Sequence, residues 1–272
     1  MTFVVTQSQH IKVQCNFLWF PGSTTNYVCE LSDLSITEND ILNQNFTFGG
    51  QHVSGLSNND VIRVNLTSSQ VPVIFSQVFL AFSSLTRLDV SSRLTHIQPN
   101  AFSDARSLTH LSLPNNLLTT LPAAAFAGAS NLIFLNLRFN SIDFIHENAF
   151  SASNLLDFIN LDYNKLREIF PNVFRPLIRL DTIYLRNNFI ERLHGDLFSH
   201  NQQLYIMSFL YNQINAIDRR FLDQVSEPGL LIFGGNLCTN NVFANVSKEV
   251  ILAGLERCFE NYEKVPQIES TF

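Results

Sequence analysis

One spacing dominates this chain and leaves few folds open to it. Apolar residues recur at the first, fourth and sixth positions of a unit about twenty-four residues long, with Asn at the ninth. Leu108, Leu111, Leu113 and Asn116 fill those positions once, and Leu132, Leu135, Leu137 and Asn140 fill them again. The pattern starts anew at Leu156, Leu180 and Leu204 and runs forward to Pro228, Leu231, Phe233 and Asn236. It also runs back through Leu85, Leu88 and Val90 to Val61, Val64 and Leu66. The eleventh position reads Val71, Leu94, Leu118, Ile142, Leu166, Ile190 and Ile214, then Cys238; the fourteenth reads Ile74, Ile97, Leu121, Ile145, Ile169, Leu193 and Ile217. A Phe column follows (Phe79, Phe102, Phe126, Phe150, Phe174 and Phe198, then Leu222), which accounts for part of the 25 Phe in the chain. Self-similarity at this period marks a stacked solenoid.

Each position has a physical task. Leu or Val at positions one, four and six marks a short strand whose apolar side chains point into the coil. One turn cannot bury that side alone, so successive turns stack and their strands pair in parallel. Asn116, Asn140, Asn164, Asn188, Asn212 and Asn236 occupy position nine, where the chain leaves the strand. A buried amide there must be hydrogen-bonded, and repetition lets it pair with backbone groups of its own and the adjacent turn. Ser69, and the residue missing from the turn that starts at Leu85, interrupt this row. The first two turns are therefore expected to be the less regular ones.

The expected architecture is an α/β horseshoe with a parallel sheet on its concave face. Turns start at 61, 85, 108, 132, 156, 180, 204 and 228, and residues 61–237 form the repeat domain. Residues 1–60 form a β-rich N-terminal cap. Its strands are expected at Ile11 to Cys15 and Thr25 to Cys29, around a Pro21-Gly22 hairpin, with a third over Phe46 to Val53. Residues 238–272 form the C-terminal cap and tail. In it, Ser247 to Cys258 reads as one amphipathic helix with Ser247 as N-cap, and the tail from Asn261 is expected to be loose or partly docked.

Cysteines add a constraint. Cys15 and Cys29 lie near one end and Cys238 and Cys258 near the other. Strands are spaced ~4.8 Å apart along a solenoid, and disulfide Cα atoms lie within ~7 Å. Only Cys15–Cys29 and Cys238–Cys258 can then form, each stabilising by very roughly 3 kcal/mol. Four buried thiols in a reducing compartment are the alternative. Paired terminal cysteines suit an oxidising one, as do the sequons at Asn45, Asn65 and Asn245, each a modest signal. Met1 to Cys15 has neither a basic start nor a long apolar core and is not read as a signal peptide. An extracellular protein whose signal has been removed is the expectation. No apolar run reaches the ~18 to 20 residues of a membrane span. A net charge of −6 without a basic run argues against nucleic acid.

The LxxLxLxxNxLxxL pattern, with Phe near position eighteen, resembles the typical extracellular subclass of leucine-rich repeat proteins over residues 61 to about 238. The two-cysteine ends, with Gly235-Asn236-Leu237-Cys238 leading into the last cap, are similar to small secreted leucine-rich repeat proteins of insects. The resemblance implies recognition of a protein or glycan, in immunity, adhesion or signalling. A structural or assembly protein that uses the same face to dimerise, with itself or another chain, or to join a matrix is the alternative.

No chemistry-bearing constellation competes. The seven His are scattered, and neither a paired metal-ligand spacing nor a phosphate-binding glycine loop occurs. The chain is read as neither an enzyme nor a holder of metal or cofactor. Positions two, three, five, seven and eight face outward on the concave sheet. In the first three turns they are mostly small and polar. From the fourth they read Phe134, Arg138 and Phe139; Asp157, Phe158, Asp162 and Tyr163; Asp181, Tyr184 and Arg186; then Tyr205 and Tyr211. This aromatic and charged patch is the expected ligand site, since such residues are enriched at binding hot spots. The plainer explanation is that aromatics favour strands and that Arg138, Asp162 and Arg186 form a surface charge ladder. A glycan on Asn65 would cover the N-terminal end of the face, while one on Asn245 is expected to be peripheral.

Overall fold

The computed structural model describes residues 11–19, 27–38, 40, 46–225 and 228–264. Asn45, the Pro21-Gly22 turn and the tail beyond Lys264 lie outside them. Eight parallel strands carry the repeat: β5 (Val61–Thr67), β6 (Arg87–Ser91), β7 (His110–Ser112), β9 (Phe134–Asn136), β11 (Phe158–Asn160), β12 (Thr182–Tyr184), β14 (Ile206–Ser208) and β16 (Leu230–Ile232). Their registers hold the repeat in step, with Leu111 beside Leu135, Leu135 beside Ile159, and Ile159 beside Ile183. Short pairs on the return path, β8 (Thr120–Leu121) with β10 (Phe144–Ile145) and β13 (Arg192–Leu193) with β15 (Ala216–Ile217), repeat the parallel pairing.

The interior is a set of columns. Phe79, Phe102, Phe126, Phe150, Phe174 and Phe198 stand ring on ring, with centroids 5.6 to 6.1 Å apart, and are all buried. The ring of Phe221 continues this column, 5.6 Å from Phe198. Turn seven thus feeds the stack one residue earlier than the expected Leu222, which is buried beside it.

The asparagine row forms a continuous clamp. Asn164 Oδ1 accepts from the Ile142 N–H of the preceding turn at 3.0 Å. Its Nδ2 donates to Leu137 O of that turn and to Leu161 O of its own, both at 3.0 Å. Asn140, Asn188, Asn212 and Asn236 repeat the arrangement. Asn116 instead accepts from both Ser92 and Leu94, where the short turn brings two N–H groups together. At the N-terminal end Ser69 does part of the same work, accepting from Leu34 N–H and donating to Thr67 O. The irregularity expected of the first two turns is visible: Gln77–Ala81 (α1) is α-helical, where turn seven has a 3-10 helix over Arg219–Leu222, and Ser92 Oγ is buried without a partner.

The caps differ from expectation in pairing. β2 (Asn16–Trp19), not the segment before Cys15, forms the antiparallel hairpin with β3 (Tyr27–Leu31), and β3 joins the main sheet against β5. β1 (Ile11–Gln14) turns away at Cys15 and pairs in parallel with β4 (Phe46–Gly49). The disulfide Cys15–Cys29 pins this divergence, with Cα atoms 5.2 Å apart. At the other end β17 (Val242–Ala244) closes the sheet antiparallel to β16. The single helix expected over Ser247 to Cys258 is two, α2 (Lys248–Gly254) and α3 (Glu256–Lys264). Gly254 lies against the Phe243 ring, where a Cβ would stand 2.6 Å from it. The chain bends just after, at Leu255, and brings Cys258 to Cys238 with Cα atoms 5.1 Å apart. Arg219 and Glu256 form a two-point ion pair that seats α3 on the last turns.

Replacing Asn164 with Ala strands the buried Ile142 N–H, at about 1–3 kcal/mol, while the Leu137 and Leu161 carbonyls keep Asn140 Nδ2 and Asn188 Nδ2 as donors. Asn164→Ala should lower stability by about 1–3 kcal/mol in chemical denaturation, and hydrogen exchange should quicken first at Ile142.

Candidate functional site on the concave face

All twelve concave residues expected from the sequence lie on the sheet's open face, but they separate into three rows. In the middle, parallel pairing sets Phe134 beside Phe158, and their rings stack at 4.6 Å and 5°. His110 extends the platform at one end, 5.6 Å from Phe134, and Tyr184 meets Phe158 edge-on at 5.5 Å. Burial, then the charge of Arg87, pull the His110 imidazole below its usual range, so the platform begins with a neutral ring at pH 7.

The second row lies where the chain leaves each strand. Residue eight of each turn from the third adopts a left-handed conformation: Asn115, Phe139, Tyr163, Asn187, Tyr211 and Gly235 have φ between 53° and 72°. Its N–H then reaches the next turn, as Phe139 does to Asp162 O and Tyr163 to Arg186 O. Asn and Gly enter this region easily, whereas a bulky ring there is an outlier costing about 1–3 kcal/mol. Phe139, Tyr163 and Tyr211 are held there nonetheless, and Phe139 stacks on Tyr163 at 4.4 Å.

The expected charge ladder at position seven does not form ion pairs. Arg138 instead lies over the Phe139 and Tyr163 rings at 4.3 and 5.2 Å. Arg186 lies over Tyr163 and Tyr211 at 5.5 and 5.6 Å. Between them Asp162 accepts the Arg186 backbone N–H at 2.7 Å. Stacking prevails because each ring sits directly beside the guanidinium, and cation–π contact is worth about 0.5–2 kcal/mol.

The third row is the opposite rim, with Asp157, Asp181 and Tyr205 at position two. It borders an open hollow of about 420 Å³ lined by Ile133, Leu155, Asp157, Arg179 and Gln203. Rows two and three are five to six residues apart along a strand, or roughly 15–20 Å. The face is thus a trough with an aromatic floor, one acidic rim and one aromatic–guanidinium rim.

The N-terminal turns make a contrast. Arg63 Nε donates to Asn65 Oδ1 and Asp89 Oδ2 at 2.8 and 2.9 Å, and Arg87 Nε reaches the same Asp89 oxygen at 3.1 Å. The Arg63, Asn65, Arg87 and Asp89 side chains of turns one and two thus satisfy one another. In turns four to seven, the Tyr163, Tyr184 and Tyr211 hydroxyls and both guanidiniums have no hydrogen-bond partner among the described residues.

The sequence matches the BspA type Leucine rich repeat region in six copies, over residues 28–133, 72–205 and 119–248. The chain belongs to this leucine-rich repeat family. A comparison with curated proteins gave no match. Among solved structures it is similar to the LRIM1/APL1C complex, at 18% identity and a TM-score of 0.66, over 84% of this chain and 39% of that one. It is similar to the APL1 leucine-rich repeat domain at 18% identity and a TM-score of 0.59, over 77% of this chain and 53% of that one. A leucine-rich repeat protein of Leptospira interrogans matches at 20% identity and a TM-score of 0.60, over 84% and 56%. The chain therefore spans about half the length, or less, of these proteins, and the likeness is one of fold. Leucine-rich repeats typically serve as protein-interaction scaffolds rather than catalysts.

Within this leucine-rich repeat, the described residues hold no group of three His, Cys, Asp or Glu side chains able to bind a metal ion. No described helix is long and apolar enough to cross a membrane. Asn65 lies at the centre of β5 and its Nδ2 faces Glu30 Oε1 at 3.5 Å. Asn245 is not peripheral, as the sequence implied: it receives the Tyr205 hydroxyl at 3.3 Å and borders the position-two rim. An antiparallel β17 brings it back across the sheet, which no repeat pattern encodes.

Three glycines of the last turn were missed as site residues. A Cβ at Gly229 or Gly235 would fall on the Tyr205 or Tyr211 ring, and one at Gly234 on Leu210. The two tyrosines therefore lie over turn eight, above a floor of Ile206, Leu230 and Ile232 that Val242 of β17 extends. The register alone places Leu230 and Ile232, but Val242 lies outside it.

Gly229→Ala should destabilise by about 1–3 kcal/mol through overpacking, and most of that loss should vanish in a Tyr205→Ala background; denaturation of the four-member cycle measures the coupling. Burial, then repulsion from Asp181, push the Asp157 carboxyl above its usual range, with Arg179 opposing. Burial likewise raises Asp162 against the pull of the Arg186 N–H, Arg138 and Arg186. The folded chain then binds more protons than the unfolded chain from the ordinary 3.8 up to the raised native values, so these groups make stability fall as pH rises through that window. Asp157→Asn should flatten that slope in denaturation midpoints taken across acidic pH.

Proposed function

We propose that this protein is a secreted recognition protein that binds a protein partner through turns four to seven of its concave face. One observation carries this reading. Strained aromatic rings and guanidiniums without hydrogen-bond partners among the described residues gather in those turns, while the arginines of turns one and two are bound by Asn65 and Asp89. Backbone outliers of this kind persist where surrounding structure holds them for a task. Glycine or asparagine would serve position eight without strain, as Gly235, Asn115 and Asn187 do.

Secretion is supported by the two disulfides that close the caps and by the sequons at Asn65 and Asn245. The resemblance to the extracellular subclass points the same way, toward immunity, adhesion or signalling. Glycans at Asn65 and Asn245 would stand at the two ends of the concave sheet, the second beside Tyr205 of turn seven, and leave turns three to six open. Of the two ligand classes left open by the sequence, we favour protein over glycan, because protein contact is the typical work of this scaffold. Self-association is the second reading, favoured by the apolar floor of turns seven and eight.

The test is capture of a partner from native fluid with the intact protein and with Phe134→Ala/Phe158→Ala. The double variant should weaken a specific partner by at least about 2 kcal/mol, as expected for hot-spot aromatics. Unchanged capture would remove the face from the function. Mass that doubles with concentration in light scattering, and returns to monomer in the variant, would replace the partner with a second copy.

A further inference from the structure

Two guanidinium groups on the concave face form no ion pair with a described residue, and the Asp162 carboxylate between them feels both charges without contact. Arg138 lies against the stacked Phe139–Tyr163 pair and Arg186 against Tyr163 and Tyr211. Neither makes an ion pair or a side-chain hydrogen bond with any described residue. Their Nε atoms are buried without a partner, whereas their Nη atoms are not among the buried ones. The end-on pair of N–H groups of each guanidinium is therefore what faces the trough. Stacking occupies the flat faces and leaves the edges for hydrogen bonds, the geometry that suits a carboxylate. Asp162 lies between the two arginines but is turned to the Arg186 backbone N–H.

We propose that Arg138 and Arg186 are a carboxylate-recognition site for an acidic peptide segment of the protein partner, lying along the solenoid axis. The proposal rests on the concave face being the recognition surface and names what that surface takes. The arginines stand two strands apart, or about 9–10 Å, so they receive two carboxylates from one segment. An apolar side chain between those carboxylates lands on the Phe134–Phe158 platform. The Asn160 Nδ2, with no acceptor among the described residues, and the Tyr184 hydroxyl are placed to meet the segment's backbone. Asp157 and Asp181 on the far rim set the orientation, since they repel an acidic flank on that side. The net charge of −6 gives an acidic partner no long-range attraction. Recognition is therefore local, depending on these two groups rather than on the field of the whole molecule.

The probe is a terminally blocked peptide with two glutamates around a phenylalanine, titrated into the isotope-labelled full chain and followed by NMR. The same peptide with lysines in place of glutamates and a sulfated oligosaccharide are the comparison arms. The glutamate peptide should shift the Arg138 and Arg186 side-chain resonances, and each arginine lost should weaken it roughly tenfold, the loss of a charged hydrogen bond. Arg138→Lys/Arg186→Lys keeps the charge and loses the fork, and should weaken binding nearly as much as Arg138→Gln/Arg186→Gln. Arg167→Gln, which removes a guanidinium stacked on Phe189 at 5.6 Å outside the trough, should leave binding unchanged. Preference for the lysine peptide or the oligosaccharide overturns the proposal. Binding lost in Phe134→Ala/Phe158→Ala but retained in the arginine variants overturns the arginine assignment while leaving the face as the recognition surface. Failure of the glutamate peptide to bind, with a native partner still captured through Phe134 and Phe158, overturns the acidic-segment assignment alone.

Discussion

A buried amide that can be satisfied only by its neighbours holds this structure in register. At the exit of each strand the backbone must turn inside a packed coil, where water cannot serve its N–H and C=O groups. The position-nine asparagine supplies both an acceptor and two donors at that place, and uses them across the boundary between turns. Asn164 therefore links the turn before it to its own. The clamp spaces the strands and puts the preceding residue into its left-handed turn. The Phe column depends on the same spacing, since its rings stack only when turns advance by one strand.

The concave face inherits its geometry from that clamp. Rings at position eight stand where they do because the chain is turned there, not because their own preferences lead them to it. Phe139, Tyr163 and Tyr211 thereby flank the arginines at position seven and displace the ion pairing that alternate charges would otherwise form. The same logic explains the last turn, where glycine at three outward positions gives the rings of turn seven room to lie down. Aromatic rings on left-handed backbone and absent side chains both fall in the later turns of the face. The other end is closed by the Arg63–Asp89–Arg87 network.

The caps show what a repeat cannot do for itself. Each end of the sheet is covered by an antiparallel strand, β2 with β3 at one end and β17 at the other, and each is fastened by a disulfide. A parallel strand added at either end would demand another turn and another cap. An antiparallel strand ends the series, because it returns the chain across the sheet without continuing the coil.

The repeat, its register, both disulfides and the outward position of all twelve concave residues were legible in the linear chain. Each follows from local periodicity or from the length of a stacked coil, and both are properties of spacing. Tertiary structure alone decided that Arg138 and Arg186 stack rather than pair, that β1 leaves the hairpin, that α2 and α3 are separate, and that Asn245 meets Tyr205. Those outcomes depend on which groups compete at one point in space. A spacing of twenty-four residues specifies which turns are neighbours; it does not specify whether a guanidinium finds a carboxylate or a ring nearer to hand.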